Sequence, residues 1–239
     1  MADDLVLLHG FGGTCRSWGT VTDALAGERR RVLALDLPGH GANIGAERPI
    51  TFAGCVRCVL AAAPERFVLG GYSLGGRVAL HVALAAPERV RRLVLVSSTA
   101  GIEDAAERAE RSARDRLLAE GLERDGIESF LARWRSQPLF VDDPPAVDEL
   151  ACTDYRRNSP GALAAVLRGI GTGEMEPLWD RLAELRMPVT VLAGERDAKF
   201  VGLGQRAVKL LPDARLVVAA GGHRLPLESP QAVADALEG

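Results

Sequence analysis

The chain has 239 residues, a formal net charge of −3, 47% hydrophobic residues and 26% charged residues. This composition is ordinary for a globular protein, and the length suits one α/β domain or a domain with one large insertion. No block of like charge is long enough to bind nucleic acid, and no apolar run approaches the ~18 residues that span a bilayer. We therefore expect neither a nucleic-acid partner nor a membrane segment.

The start of the chain, Met1-Ala2-Asp3-Asp4, lacks the basic and long apolar regions of a secretory signal. The pair Cys55 and Cys58 has the spacing of a redox motif, but no βαβ redox context surrounds it. The two cysteines fit better as small apolar positions on one face of a helix. We expect a cytoplasmic protein.

Six short apolar runs, each bounded by Gly, Pro or charge, predict buried strands. They cover residues 5–8, 32–36, 67–72, 92–96, 188–193 and 215–219. Helical patterns separate them, at residues 17–26, 51–63, 74–86, 179–184, 202–211 and 230–237. Strands that alternate with helices favour a mostly parallel sheet of about six to seven strands with helices on both faces.

Residues 99–177 interrupt this alternation. They contain no convincing strand and three amphipathic helical runs, at 104–122, 127–135 and 160–170. The Pro- and Asp-bearing segment 141–145 is predicted as a loop. We interpret residues 99–177 as a helical lid inserted into a core formed by residues 1–98 and 178–239.

The turn Gly71-Tyr72-Ser73-Leu74-Gly75 carries the strongest chemical signal. It lies between a predicted strand and a predicted helix, which is the setting that Gly-x-Ser-x-Gly requires. The turn is tight enough to need small flanking residues, and it points the serine hydroxyl out above the sheet edge. Ser73 is therefore the predicted reactive hydroxyl of an α/β-hydrolase fold.

A serine hydroxyl needs a histidine to accept its proton and a carboxylate to orient that histidine. In this fold the chain order is Ser, acid, His. Of the four histidines, only His223 follows the serine at a suitable place, just past the last strand. Asp197 is the preferred acid because the turn after the fifth strand favours a shorter side chain, and Glu195 is the alternative.

The other histidines have structural interpretations. His81 lies two turns into the helix after Ser73 and should face away from the site, while His9 and His40 lie in glycine-rich turns and should hold loop geometry. Backbone N–H groups of Leu74 and Phe11 are the predicted donors of an oxyanion hole. Four scattered histidines offer no ligand pair spaced for zinc, so no metal or other cofactor is expected.

These motifs resemble those of α/β-hydrolases, and the rest of the sequence is similar to one family among them. The closer features are Gly-Tyr-Ser-Leu-Gly-Gly-Arg at 71–77, the arginine-rich start of the lid at 107–116, the aromatic segment 130–140, Arg156-Arg157-Asn158 and the Lys-Phe pair at 199–200. Together they resemble the 2-succinyl-6-hydroxy-2,4-cyclohexadiene-1-carboxylate (SHCHC) synthases, lyases of menaquinone biosynthesis. Arg135 and Arg224-Leu225-Pro226 depart from the pattern expected for that family.

The resemblance implies that Ser73 acts as a base and that pyruvate is eliminated from a succinylated cyclohexene carboxylate. Such a polycarboxylate substrate needs fixed cations, and bidentate arginines suit carboxylates. By match, the predicted carboxylate-binding residues are Arg77, Arg111 and Arg156. The predicted pocket-lining residues are Tyr72, Trp134 and Phe140. Each lid arginine could instead belong to a solvated helix face, as in a pair between Glu107 and Arg111.

Two other functions stay open on the sequence. A serine hydrolase of small esters, lactones or carbon–carbon bonds would use the same triad through an acyl-enzyme on Ser73. A non-catalytic, ligand-binding member of the fold is disfavoured by the complete triad, and an aspartate-nucleophile mechanism is disfavoured by the serine. The sequence gives no direct sign of oligomerisation, and we expect a monomer or weak homo-oligomer.

Overall fold

A computed structural model describes residues 3–25 and 31–239 of the chain. It contains a six-stranded sheet, and each predicted strand is present to within two residues at either end. The strands are β1 (Leu5–Leu8), β2 (Val32–Leu35), β3 (Phe67–Tyr72), β4 (Val90–Val96), β5 (Val189–Gly194) and β6 (Ala214–Ala219).

The sheet has the order β2-β1-β3-β4-β5-β6, and every pairing in it is parallel. The carboxyl ends of parallel strands meet at one edge, where ligands bind in open α/β sheets. The segments that follow β1, β3, β5 and β6 therefore converge at this edge, and they carry Phe11, Ser73, Asp197 and His223.

Helices cover both faces of the sheet, as predicted. They are α1 (Gly19–Ala24), α2 (Phe52–Ala62), α3 (Leu74–Ala85), α7 (Ala198–Leu210), α8 (Leu225–Glu228) and α9 (Pro230–Glu238). The predicted helix at 17–26 begins as a 3₁₀ turn, Cys15–Trp18, and its predicted last residue lies outside the described residues. The segment Trp179–Glu184 is also a 3₁₀ helix.

Side chains of β1 alternate between two apolar layers because successive residues of a strand point to opposite faces. Val6 and Leu8 join a core with α2 and α3. Leu5 and Leu7 join a second core with α1 and α9. All four residues are fully buried. This central strand is apolar throughout because both of its faces are covered.

Three helices lie between β4 and the Trp179–Glu184 turn: α4 (Ala105–Arg135), α5 (Pro145–Tyr155) and α6 (Pro160–Ile170). Gly126, with φ of 74°, breaks α4 between the two predicted helical runs. The end of the segment predicted as a loop, at Pro145, instead begins α5, because proline is well suited to the first turn of a helix.

The inserted helices have a small apolar core of their own, separate from the two cores beside the sheet. It includes Phe130, Trp134, Phe140 and Tyr155, and Phe11, in the loop after β1, packs against it. The division of the chain into core and lid stays a prediction. Among the described residues, no helix combines the length and apolarity needed to cross a membrane.

Candidate active site

Ser73 occupies a strained turn between β3 and α3. Its backbone has φ of 51° and ψ of −109°, a conformation that side-chain-bearing residues rarely adopt. A Cβ atom on Gly71 would lie 2.4 Å from the carbonyl oxygen of Gly75, and one on Gly75 would lie 2.0 Å from that of Leu8. Both flanking glycines are thus required sterically, as the motif predicts.

Ser73, His223 and Asp197 form a continuous hydrogen-bonded array. Nε2 of His223 lies 3.2 Å from Oγ of Ser73, and Nδ1 lies 2.7 Å from Oδ2 of Asp197. The His223 and Asp197 residues are 2% and 5% exposed. A buried carboxylate on Nδ1 fixes the tautomer that leaves Nε2 free to accept the serine proton. Glu195, the alternative acid, is exposed, and Asp197 is the carboxylate on Nδ1 of His223.

Two backbone N–H groups are available beside Ser73. Leu74 is the first residue of α3, so its N–H has no partner within the helix. Phe11 lies in the loop after β1, and within the described residues its N–H has no acceptor. Gly10 brings this loop against the serine, since a Cβ atom there would lie 3.5 Å from Cβ of Ser73. The expectation that these two N–H groups stabilise an oxyanion stays a prediction.

His9 and His40 hold the loop that carries Phe11. Nδ1 of His9 lies 2.8 Å from the carbonyl oxygen of Gly10, and Nε2 accepts a 3.0 Å bond from the N–H of Leu37. Nε2 of His40 accepts a 3.2 Å bond from the N–H of Gly12. Both imidazoles are fully buried, and these roles require an unprotonated Nε2.

His81 lies apart from the array. Its Nδ1 lies 2.8 Å from the carbonyl oxygen of Arg77, and its ring stacks on Phe52 at 4.2 Å. It lines neither of the two cavities beside Ser73 described below. Its contacts are those of a packed helix residue.

Acid should destabilise the fold through these histidines. Burial lowers the pKa of His9, His40 and His81 below 6.5, so unfolding takes up protons at a pH between their folded and unfolded pKa values. The free energy of unfolding should therefore fall as pH drops below about 6.5. In urea titrations at several pH values, His40→Gln should flatten this slope by up to about 1.4 kcal/mol per pH unit. An unchanged slope in His40→Gln would contradict the assignment of this acid-induced loss of stability to His40.

The inserted helices also hold the loop after β1. Asp154 of α5 accepts a 2.8 Å bond from the N–H of Thr14 and bonds from two hydroxyls of the same loop. Asn158 donates a 2.7 Å bond to the carbonyl oxygen of Gly12 and accepts a 2.9 Å bond from the N–H of Gly41. The inserted segment therefore helps to set the position of Phe11.

Two cavities meet at Ser73. The smaller cavity, of about 410 Å³, is bordered by Tyr72, Tyr155 and Arg224, and the larger cavity, of about 910 Å³, by Arg77 and Arg111. Five residues line both, namely Phe11, Ser73, Trp134, Phe140 and His223. Tyr72, Trp134 and Phe140 thus lie at the predicted pocket. Nε1 of Trp134 is buried and has no hydrogen-bond acceptor in the described part of the chain.

Arg77 is a buried cation at the larger cavity. It is 7% exposed and donates a 2.8 Å bond to the carbonyl oxygen of Ile170, but among the described residues it has no carboxylate partner. Burial, and then the nearby charge of Arg111, lower the pKa of Arg77 to about 10, which still leaves it protonated at neutral pH. The buried carboxylate of Asp115 acts on Arg77 at longer range but forms its ion pair with Arg111, so a direct partner for Arg77 at this cavity could be an anionic ligand.

Arg111 also lines the larger cavity, but Nε is already bound to Oδ1 of Asp115 at 2.9 Å. In place of the helix-surface pair with Glu107, which was the alternative to substrate binding, Arg111 forms this i,i+4 pair with Asp115. Arg111 is therefore a partly neutralised cation at the cavity wall.

The prediction that Arg156 binds substrate carboxylate is not supported. Its side chain is 43% exposed, lines neither cavity and forms a two-point ion pair with Glu128, at 2.8 and 3.1 Å. The physical reason is that Glu128 of α4 offers an exposed bidentate partner on the outer surface. Arg156 is therefore removed from the candidate site.

Arg224, which directly follows His223, lines the smaller cavity but was not among the predicted site residues. Arg224 is 5% exposed, donates from Nε to Oδ2 of Asp143 at 2.5 Å and stacks 4.4 Å above the ring of Phe140. The available signal was that a large basic residue follows the histidine, but its partner lies 81 residues earlier and cannot be identified from spacing.

Comparisons with known proteins agree with this geometry. Residues 5–236 match the profile described as "Alpha/beta hydrolase family". The protein of Klebsiella pneumoniae (strain 342) named "2-succinyl-6-hydroxy-2,4-cyclohexadiene-1-carboxylate synthase" is 36% identical over 235 residues, which cover 96% of this chain and 90% of that protein.

Two solved structures are similar over nearly the whole chain. MenH from S. aureus has a TM-score of 0.90 at 31% identity, with 98% of this chain and 91% of that chain covered. A hydrolase from Pseudomonas aeruginosa PA01 has a TM-score of 0.79 at 31% identity, with 98% and 88% covered. The chain therefore belongs to the alpha/beta hydrolase family and, within it, to the family of proteins named SHCHC synthase.

Proposed function

We propose that this protein is a lyase that eliminates pyruvate from a succinylated cyclohexene carboxylate to give SHCHC, a step of menaquinone biosynthesis. The observation that carries the proposal is Arg77, a buried cation without a carboxylate partner among the described residues, one turn after Ser73 at the larger cavity. A neutral ester would give Arg77 no direct ion-pair partner, whereas a substrate carboxylate would provide one. The synthase relatives add support at the level of the whole chain.

The reaction is a proton abstraction coupled to loss of a leaving group. His223 takes the proton of Ser73, and the serine oxygen removes a proton from the ring carbon beside the succinyl carbonyl. The electron pair moves through the ring, a second ring double bond forms, and the carbon–oxygen bond to the enolpyruvyl group breaks. Enolpyruvate leaves and gains a proton at carbon to become pyruvate.

Negative charge develops on the succinyl carbonyl oxygen during this step. The N–H groups of Phe11 and Leu74 are the proposed donors to that oxygen, and the N-terminus of α3 adds a favourable dipole. Asp197 orients His223 and stabilises its protonated form. In this proposal Ser73 forms no covalent intermediate, which separates the lyase from a hydrolase built on the same array.

The proposal includes a polycarboxylate small molecule as ligand, no cofactor, no nucleic-acid or membrane partner, and a monomer or weak homo-oligomer. It also includes a cytoplasmic location. All four cysteines are unpaired, and free thiols fit a reducing compartment.

A serine hydrolase of small esters, lactones or carbon–carbon bonds is the second candidate. It is favoured by the close approach of Ser73 to His223 and by the similarity to the P. aeruginosa hydrolase. An acyl-enzyme would form on Ser73, with the same two N–H groups as the oxyanion hole.

The two candidates can be separated by one pair of measurements. The enzymatically prepared succinylated precursor should yield pyruvate with the wild-type protein, followed by a coupled assay, and the Ser73→Ala variant serves as comparator. An activated ester should give neither a burst nor a mass adduct on Ser73. Pyruvate release no faster than with Ser73→Ala would overturn the lyase, and a burst with an adduct would favour the hydrolase. Slow ester turnover alone does not favour it.

Removing the positive charge of Arg77 should weaken substrate binding. Arg77→Met should raise KM for the precursor by about 10- to 100-fold, the effect of losing one or two charge-assisted hydrogen bonds. Arg168→Met is the matched control, because Arg168 forms an exposed pair with Glu123 away from both cavities. Its KM should change by less than about two-fold. Equal KM values for both variants would contradict this role for Arg77.

A further inference from the structure

We propose that Arg224 binds the carboxylate of the pyruvate-forming group, and that the smaller cavity is the subsite for this leaving group. The inference rests on the proposed lyase function. It assigns a binding role to a residue that sequence similarity does not single out.

The first observation is the state of the Arg224 guanidinium. Only Nε is occupied, by Asp143, whereas the two terminal nitrogens have no hydrogen-bond acceptor in the described part of the chain. Arg224 is 5% exposed and borders the smaller cavity. The two terminal nitrogens are charged donors at the wall of this cavity, where they could bind a bidentate anion such as a carboxylate.

The second observation concerns the other residues that line the smaller cavity with Arg224. Tyr72 and Tyr155 border the same cavity, and burial raises the pKa of both phenols, so they remain protonated donors. The two other arginines at this cavity, Arg16 and Arg157, are exposed to solvent. Arg224 is thus the one buried cation among the described residues that line the smaller cavity.

The third observation is the position of Ser73 and His223 between the two cavities. The bond that breaks joins the ring to the enolpyruvyl oxygen, so the two parts of the substrate must extend in different directions from the reacting atoms. The larger cavity, with Arg77 and Arg111, suits the ring and its succinyl arm. The smaller cavity then receives the three-carbon acid.

This assignment also resolves the mismatch left by Arg156. The substrate carries three carboxylates: one on the ring, one on the succinyl arm and one on the leaving group. Arg77 and Arg111 line the larger cavity together with other basic residues, and Arg156 is on the outer surface. Arg224 supplies a buried cation for the leaving-group carboxylate at the smaller cavity.

The test compares Arg224→Met with Asp143→Asn and with the surface control Arg168→Met. Arg224→Met should raise KM for the precursor and the inhibition constant for pyruvate, each by about 10- to 100-fold. Arg224→Lys should recover part of both losses. Asp143→Asn keeps the Arg224 cation and an Oδ1 acceptor for its Nε, so both constants should rise much less than in Arg224→Met.

Equal effects of Arg224→Met and Asp143→Asn would overturn the inference, because the ion pair would then only support the loop that carries His223. Arg224→Met could fail to fold because it leaves the Asp143 carboxylate buried without a partner. In that case the double variant Arg224→Met/Asp143→Asn, which removes this carboxylate, takes the place of the single variant in the comparison. An inhibition constant for pyruvate that is unchanged in this double variant would also overturn the inference.

Failure of the proposed function can be recognised separately. It appears as absence of pyruvate release by the wild-type protein. Calorimetric titration with pyruvate needs no turnover and still tests the subsite. Binding that is present in wild type and lost in Arg224→Met supports the subsite, and equal or absent binding overturns it.

Discussion

Ser73→Ala should lower kcat for pyruvate release by about 100- to 10,000-fold, the usual contribution of a positioned general base. The variant keeps the N–H groups of Phe11 and Leu74 and the cations of both cavities, so KM should change little. The small side chain of alanine fits the site, although the strained φ of 51° at this position stays unfavourable for any residue with a Cβ atom. Initial rates in the coupled pyruvate assay measure the effect.

Ser136→Ala is the matched control for this experiment. Ser136 is exposed at the end of α4, and its hydroxyl donates to the carbonyl oxygen of Arg133. Its removal should leave kcat unchanged. Retention of more than about a tenth of the wild-type rate by Ser73→Ala would contradict a proton-transfer role for Ser73.

Gly75→Ala should destabilise the protein by more than about 4 kcal/mol, a large part of the 5–15 kcal/mol that typical domains possess. The added Cβ atom would lie 2.0 Å from the carbonyl oxygen of Leu8 and 2.6 Å from that of His9. Both atoms belong to the backbone of β1 and the loop after it, so no side chain can rotate away. We expect loss of soluble protein or a much lower urea midpoint.

Gly202→Ala is the matched control, and it should change the stability of the protein in the opposite direction. Gly202 lies within α7, is exposed and has nothing within 4 Å of the position of its Cβ atom. Alanine should stabilise this helix by about 0.5–1 kcal/mol. Gly75→Ala within about 1 kcal/mol of wild type would show that β1 and α3 can separate, and would contradict the packing described for the turn.

The strands and the catalytic array could be predicted because their signals are local or ordered along the chain. Each strand is an apolar run with clear ends, and β1 is buried on both faces, so its pattern is unambiguous. His223 was identified because few histidines are present and the fold dictates their order relative to Ser73. These inferences required no knowledge of side-chain direction.

The start of α5 and the ion-pair partners of the arginines could not be predicted with the same accuracy. The pair Pro144-Pro145 suggested a loop, although Pro145 occupies the first turn of α5. Arg156 lies outside both cavities and Arg224 lines one of them, because each is held by a carboxylate distant in sequence: Glu128 at 28 residues and Asp143 at 81 residues of separation. Sequence spacing determines helical neighbours but not which tertiary ion pair an arginine forms.

The bonds from Asp154 and Asn158 to the loop after β1 limit how this enzyme can be re-engineered. A foreign helical segment grafted between β4 and β5 would bring a new pocket roof, yet it would leave the backbone around Gly12 and Thr14 without its partners. That loop carries the N–H of Phe11, so a chimera could fold and still lose turnover. Successful grafts should retain this carboxylate and amide, four residues apart.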